Sequence, residues 1–139
     1  MSMRKIYSLV FVRKTTEILL GLKKRGFGEG KWNGFGGKVE AGETILQGAI
    51  RELKEECGLS VKDLKKIGLL EFEFEGNEIL LEVHVFETYQ YHGKVIESEG
   101  CDTSATLNTT LGNRHFASSL YRLYAPLDAI LCIRSIGSI

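Results

Sequence analysis

The chain has no excess charge of either sign, no cysteine pairing pattern and no long apolar run, and each absence removes a class of function. Its 18 Lys and Arg balance 18 Asp and Glu, giving a formal net charge of +0. There is therefore no broad electrostatic footprint for nucleic acid or for a membrane surface. The 3 cysteines, Cys57, Cys101 and Cys132, are odd in number and lack the paired spacing of a zinc site. That usage suits free thiols in a reducing compartment. The opening MSMRKIYSLVFV carries too short an apolar run for a signal peptide, and no segment reaches membrane-spanning length. We expect a cytoplasmic protein, with nuclear and mitochondrial pools also open to it. Two familiar phosphate motifs are missing as well. A P-loop needs a glycine five residues before Gly37-Lys38 and a Ser or Thr after it, where this chain has Trp32 and Val39. No Gly-x-Gly-x-x-Gly occurs either.

What is present is concentrated between Gly34 and Leu59, GFGGKVEAGETILQGAIRELKEECGL. A glycine-rich loop leads into a short helix. At about 100° per residue, Leu46, Ala49, Ile50, Leu53 and Cys57 form an apolar stripe that must be buried. Glu52, Glu55 and Glu56 occupy a separate arc. Thr44 and Gln47 have the spacing of a capping box, and Gly58 stands where a left-handed C-terminal cap is wanted. Gly48, inside the helix, costs about 1 kcal/mol against alanine, which a close approach by another backbone would explain. A Glu-rich helix face is usually no more than a solvated surface. Here the loop, the cap, Arg51 and the acidic spacing occur together. Clustered carboxylates repel, and a hard divalent cation such as Mg²⁺ or Mn²⁺ relieves that repulsion through oxygen ligands. The glycines of the loop would let backbone groups approach a phosphate ligand.

At 139 residues the chain is expected to form one domain with a real core. Residues 6–12 (IYSLVFV) read as a buried strand, and residues 17–24 (EILLGLKK) as a second. Residues 25–31 (RGFGEGK) form a loop in which Phe27 either folds inward or stacks on a ligand base. Asn33 could shape a turn or read a purine edge. Residues 60–66 read as a polar connection. Residues 68–76 (GLLEFEFEG) alternate strictly, so Leu70, Phe72 and Phe74 should face the core, with Glu71, Glu73 and Glu75 in solvent. Residues 79–91 read as a long central strand, in which His84 is a satisfied structural histidine rather than a ligand.

The spacing Gly37, five residues, Glu43, seven residues, then Arg51-Glu52-Leu53-Lys54-Glu55-Glu56-Cys57-Gly58-Leu59 reproduces the Nudix box without a gap. The chain thus resembles the Nudix hydrolases. Residues 23–39 (KKRGFGEGKWNGFGGKV) are similar to the branch that hydrolyses oxidised purine nucleoside triphosphates such as 8-oxo-dGTP and 2-hydroxy-dATP. That resemblance implies an α+β fold, the α/β/α Nudix sandwich, with a mixed sheet and the loop–helix. It implies Mg²⁺, or Mn²⁺, held by Glu52, Glu55, Glu56 and the Gly36 carbonyl, with Glu52 as first choice of base and Arg51 and Glu43 as orienting partners. Ser8, Lys23, Phe27, Asn33, Gly37, Lys38 and Phe72 would contact a purine nucleoside triphosphate. Nucleic acid and membrane are not expected as partners, and the chain is expected to be a monomer.

The resemblance covers residues 1–99 and stops there. Residues 100–139 contain Asp102 and Asp128 as their only acids and no lysine. Where the family branch has a further glutamate near the metal, then a tryptophan and an aspartate pair that grips the oxidised base, this chain has Gly100, no tryptophan beyond Trp32 and no Asp-Asp. We expect this segment to derive from an alternative exon or a shifted reading frame. Residues 116–125 could form a helix, and residues 127–136 a helix or a strand. Two other readings stay open: a Nudix domain that binds nucleotide with little or no turnover, and a Nudix hydrolase of another nucleoside diphosphate derivative.

Overall fold

The computed structural model describes residues 3–14, 17–24, 29–30, 32–98, 101–108 and 129–136. The expectations for Phe27 and for a helix over residues 116–125 fall outside them. Seven strands and one helix are described: β1 (Met3–Arg13), β2 (Glu17–Lys23), β3 (Trp32–Asn33), α1 (Ile45–Cys57), β4 (Lys65–Phe74), β5 (Ile79–Thr88), β6 (Cys101–Asn108) and β7 (Ala129–Ile136). They form one mixed sheet in the order β3-β2-β1-β5-β4-β7, with β6 on the other side of β2. The pair β1–β5 is parallel, from Met3↔Ile79 to Val12↔Thr88. The other pairs are antiparallel. No helix among the described residues is long and apolar enough to cross a membrane.

Alternation along β1 and β5 divides the core between the two faces of the sheet. Val10, Val12 and Phe86 meet Ala49, Leu53 and Cys57 of α1, together with Phe35 and Leu59. Leu9, Phe11, Phe72, Val83 and Val85 form a second cluster on the opposite face. Phe72 is fully buried in that cluster, so core packing accounts for it here.

The feature that positions the site is a split in the sheet. β1 pairs with β2 only near its end, through Val12↔Leu19 and Arg13↔Ile18. Further back along β1, the edge that β2 leaves is taken by the glycine-rich loop. Val10 and Phe35 exchange backbone hydrogen bonds of 2.6 and 2.9 Å, Ser8 N–H donates to Gly37 O at 2.9 Å, and Val39 N–H donates to Ile6 O at 2.9 Å. Glycine is required for that fit. A Cβ on Gly34 would meet Val10 O at 2.6 Å, and one on Gly36 would collide with Ser8 O. Contact with β1 is thus sufficient to require glycine at positions 34 and 36.

Several expectations need correction. Leu46 is exposed, and the buried side of α1 is Gly48, Ala49, Leu53 and Cys57. What approaches Gly48 is not backbone: a Cβ there would meet the Glu43 carboxylate oxygen at 2.9 Å. The polar connection contains two buried anchors, Val61 and Leu64, and β4 already begins at Lys65. Glu71 is buried rather than solvated. β4 has β5 on one side and β7 on the other, and Glu71 lies directly opposite Glu82. Glu82 in turn accepts from Arg4 at 2.7 Å and lies 2.6 Å from His84 Nε2. His84 is buried and bonded through that nitrogen, while its Nδ1 has no partner among the described residues. The apolar 127–136 segment, undecided by periodicity, contains the strand β7, which adds to the edge of β4.

Candidate active site: a loop clamped to an acidic helix

The start and end of α1 are fixed locally. The Thr44 hydroxyl accepts from Gln47 N–H at 3.1 Å, and the Gln47 side chain accepts from Thr44 N–H at 2.9 Å. Gly58 closes the other end at φ 79°, left-handed backbone that glycine takes without strain. Burial of Ala49, Leu53 and Cys57 then sets the rotation of the helix about its axis. Burial also pushes the Cys57 thiol up to about 11, so this cysteine is a core residue rather than a nucleophile.

With the helix fixed, two of its three glutamates face the loop. Glu56 accepts from Gly36 N–H at 3.0 Å through one oxygen and from the Lys23 ammonium at 3.1 Å through the other. The Lys23 ammonium also lies 3.4 Å from the Gly36 carbonyl oxygen, to which it donates. Glu52 sits against Gly37 so closely that a Cβ there would lie 2.6 Å from its carboxylate. Glu55 does not join them: its side chain is 59% exposed and pairs with Arg51 at 3.1 Å. Among the described residues no three His, Cys, Asp or Glu side chains converge as a ligand set by themselves. The oxygens that border the loop at Gly36–Gly37 are those of the Glu52 and Glu56 carboxylates and the Gly36 carbonyl. Such an all-oxygen set suits Mg²⁺, which is commonly bound through one or two carboxylates and keeps water and phosphate as its remaining ligands. A cation, the Lys23 ammonium, already lies between the Gly36 and Glu56 oxygens. The donors present fit a divalent cation.

Arg51 holds the array together. Its guanidinium donates to both Glu43 oxygens at 3.0 and 2.8 Å, to Glu52 at 3.0 Å, to Glu55 at 3.1 Å and to the Lys38 carbonyl at 3.1 Å. One side chain thus ties the loop, the segment before the helix and the helix itself. Its partners raise the Arg51 pKa further, with Glu43 the largest contributor. The hydrogen bond from Arg51 holds the Glu43 carboxyl at about 2, below the ordinary 4.5. Glu52 and Glu56 move the other way. Burial raises both, against the opposing pull of Arg51 on Glu52 and of Lys23 on Glu56.

The Glu43 shift has a measurable consequence. A lowered folded pKa stabilises the fold above the unfolded value of about 4.5, and that contribution is lost as pH falls through the folded value of about 2. The Tm difference between the wild type and Glu43→Gln is therefore largest above about pH 5 and closes toward about pH 2. A pH series of thermal melts on the two proteins checks this. A gap independent of pH would show that Glu43 acts by packing alone.

The remaining expected contacts divide. Ser8 is buried, its hydroxyl donating to Gly37 O at 3.5 Å, and so supports the loop from beneath. Lys38 is exposed on the loop. Asn33 is buried in β3, with its side-chain oxygen accepting from Gly34 N–H at 2.8 Å, the turn-shaping role. Phe72 lies in the sheet core. The Lys23–Glu56 ion pair was not visible in the sequence. The two residues are far apart in the chain, and only the split between β1 and β2 brings the end of β2 to the helix.

This arrangement has counterparts. The NUDIX domain matches residues 3–106. Over 99 residues the chain is 56% identical to the oxidized purine nucleoside triphosphate hydrolase of Mus musculus, covering 71% of this chain and 64% of that protein. It is 56% identical over 95 residues to the protein of the same name from Danio rerio, covering 68% of this chain and 61% of that one. The chain therefore spans a little under two thirds of the length of either relative. In fold it is similar to the crystal structure of a MutT NUDIX hydrolase from Burkholderia pseudomallei, with TM-score 0.66, 21% identity and coverage of 75% of this chain and 81% of that one. The matched residues take in the loop inserted beside β1, the capped helix and the glutamates facing the loop, and the chain belongs to the NUDIX domain family.

Proposed function

We propose that this chain hydrolyses oxidised purine nucleoside triphosphates, with 8-oxo-dGTP and 2-hydroxy-dATP as the expected substrates, to the monophosphate and pyrophosphate. The observation that carries the reading is the placement of Glu52 and Glu56 against the loop at Gly36–Gly37, next to the exposed Lys38. The names borne by the 56%-identical relatives support the substrate class.

A divalent cation, Mg²⁺ or Mn²⁺, supplies neutralisation of phosphate charge and a lowered proton affinity of the attacking water when bound. Glu56, Glu52 and the Gly36 carbonyl would hold it, with Glu55 at the exposed rim. Glu52, whose partly desolvated carboxyl is a stronger base than an exposed one, takes the water proton. Arg51 positions Glu52 and keeps it from turning away. Lys38, on the exposed loop, and Lys23, once free of Glu56, are placed to meet phosphate oxygens. Asn33 and Ser8 act here by shaping the loop that carries these groups.

The test is pyrophosphate release by purified protein with Mg²⁺ on 8-oxo-dGTP, 2-hydroxy-dATP, dGTP and ADP-ribose. Preferential cleavage of the oxidised triphosphates supports the reading, and preferential cleavage of ADP-ribose contradicts it. A second reading is a domain that binds nucleotide and turns over little. It is favoured by the internal commitments of Asn33 and Phe72 and by the lack of an aspartate pair in the sequence. Sites that recognise a substrate through buried polar groups lose about 10⁴–10⁵ in discrimination when those contacts are missing. Nucleotide binding without pyrophosphate release would establish it.

A further inference from the structure

Lys23 bonds to the same two oxygen groups that the proposed chemistry assigns to the metal: the Glu56 carboxylate at 3.1 Å and the Gly36 carbonyl at 3.4 Å. We propose that the Lys23 ammonium is the resident cation of the metal-free site, that an entering divalent ion must evict it, and that it then moves to the polyphosphate. This rests on the functional reading above and extends it, since it makes metal and triphosphate binding mutually dependent through one residue.

The geometry leaves little alternative to eviction. A Mg²⁺ ion binds oxygen at about 2.1 Å. An ion shared by Glu56 and Gly36 would stand where the Lys23 Nζ hydrogens now point, in a partly buried site that screens like charges poorly. Side-chain exposures of 19% for Lys23 and 12% for Glu56 place the pair largely out of water. Lys23 is also the last residue of β2, and beyond it the chain leaves the strand. Its flexible stem can therefore swing without disturbing the sheet.

Without nucleotide, the displaced ammonium exchanges a buried carboxylate for water, which opposes metal entry. With a triphosphate present it gains phosphate oxygens, which favours metal entry. Linkage makes the effect reciprocal, so the metal must raise triphosphate affinity by the same factor.

Two measurements test this. Mn²⁺ binding is followed by loss of the free-ion EPR signal, with and without a non-hydrolysable triphosphate, for the wild type, Lys23→Met and Lys23→Arg. Lys23→Met should bind Mn²⁺ about tenfold tighter than the wild type when no nucleotide is present, and most of the nucleotide enhancement should vanish. Lys23→Arg, which keeps the charge, should retain the enhancement. Unchanged or weaker Mn²⁺ binding by Lys23→Met overturns the proposal.

The second measurement uses the wild type alone and does not depend on a variant folding. Lys23 acylation is read by peptide mass spectrometry, with the exposed Lys38 as internal reference. Mg²⁺ should speed labelling of Lys23 several-fold relative to Lys38, and an unaltered ratio overturns the proposal. A wild type that takes up Mn²⁺ while failing these tests refutes the eviction step alone. A wild type that takes up no Mn²⁺ even beside a triphosphate refutes the functional reading and the eviction step together.

Discussion

Glu56→Gln is expected to lower turnover by about 10³-fold or more while leaving the fold intact. Each half of that expectation has its own cause. Turnover falls because glutamine supplies one neutral oxygen where the wild type offers a carboxylate, and a hard cation is held mainly by charge. The fold survives because that one oxygen is enough to keep the 3.0 Å hydrogen bond from Gly36 N–H. Burial raises the Glu56 pKa, which means that the ionised form is disfavoured at this position in the metal-free protein. By linkage, its contribution to stability is complete below the unfolded carboxyl value and is lost as pH rises through the folded one. Removing the charge should therefore leave the metal-free Tm at pH 7 unchanged or slightly higher. The stabilisation that Mg²⁺ gives the wild type should disappear. Melts with and without Mg²⁺, run beside a pyrophosphate assay, read both effects. A variant that keeps wild-type turnover would remove Glu56 from the mechanism.

The second large effect separates two adjacent glycines. Gly36→Ala should destabilise the fold by about 3 kcal/mol or more, a Tm loss on the order of 10 °C for a chain of this size. The new Cβ is driven into the Ser8 carbonyl, with Leu9 Cα at 2.9 Å, so everything it meets is β1 backbone that cannot rotate aside. Moving the loop outward would stretch the Val10–Phe35 pair and the bond from Ser8 N–H to Gly37 O. Gly37→Ala also creates a clash, but its neighbour is the far end of the Glu52 side chain. That carboxylate can give way at the cost of its 3.0 Å contact with Arg51, so this variant should lose less stability than Gly36→Ala and should lose catalysis. Thermal melts and turnover on both variants test the split. Equal stability loss in the two would mean that the loop is not fixed by β1.

Much of this was legible in the sequence because it depends on local spacing. Thr44 and Gln47 announce the capping box, Gly58 the left-handed cap, and Ala49, Leu53 and Cys57 the buried stripe. The strands β1, β2 and β5 were legible from apolar and β-branched runs. What the sequence could not reveal depends on contacts between distant residues. Glu71 follows the alternation of a solvated face, yet it is buried in a strand flanked by β5 and β7. The polar run of β6, CDTSATLN, has no strand signature and becomes one by pairing with β2 from Glu17↔Asn108 to Lys23↔Cys101. Within the site, the spacing placed Glu52, Glu55 and Glu56 on one arc of the helix. In the structure Arg51 pairs with Glu55 at the exposed rim, while Glu52 and Glu56 face the loop. The Gly36 carbonyl, expected beside the three glutamates, has its place set by the loop that fills the split between β1 and β2.

The central claim is that a divalent cation binds between the loop at Gly36–Gly37 and the helix at Glu52–Glu56. Substoichiometric Mn²⁺ added to ¹⁵N-labelled protein with a non-hydrolysable triphosphate broadens amides within about 10–15 Å of the ion, and so locates it directly. The account predicts that Gly36, Gly37, Glu52 and Glu56 broaden first, ahead of amides beside the exposed Glu73 and Glu75. Broadening that begins at those surface acids, or spreads evenly over the protein, would contradict it.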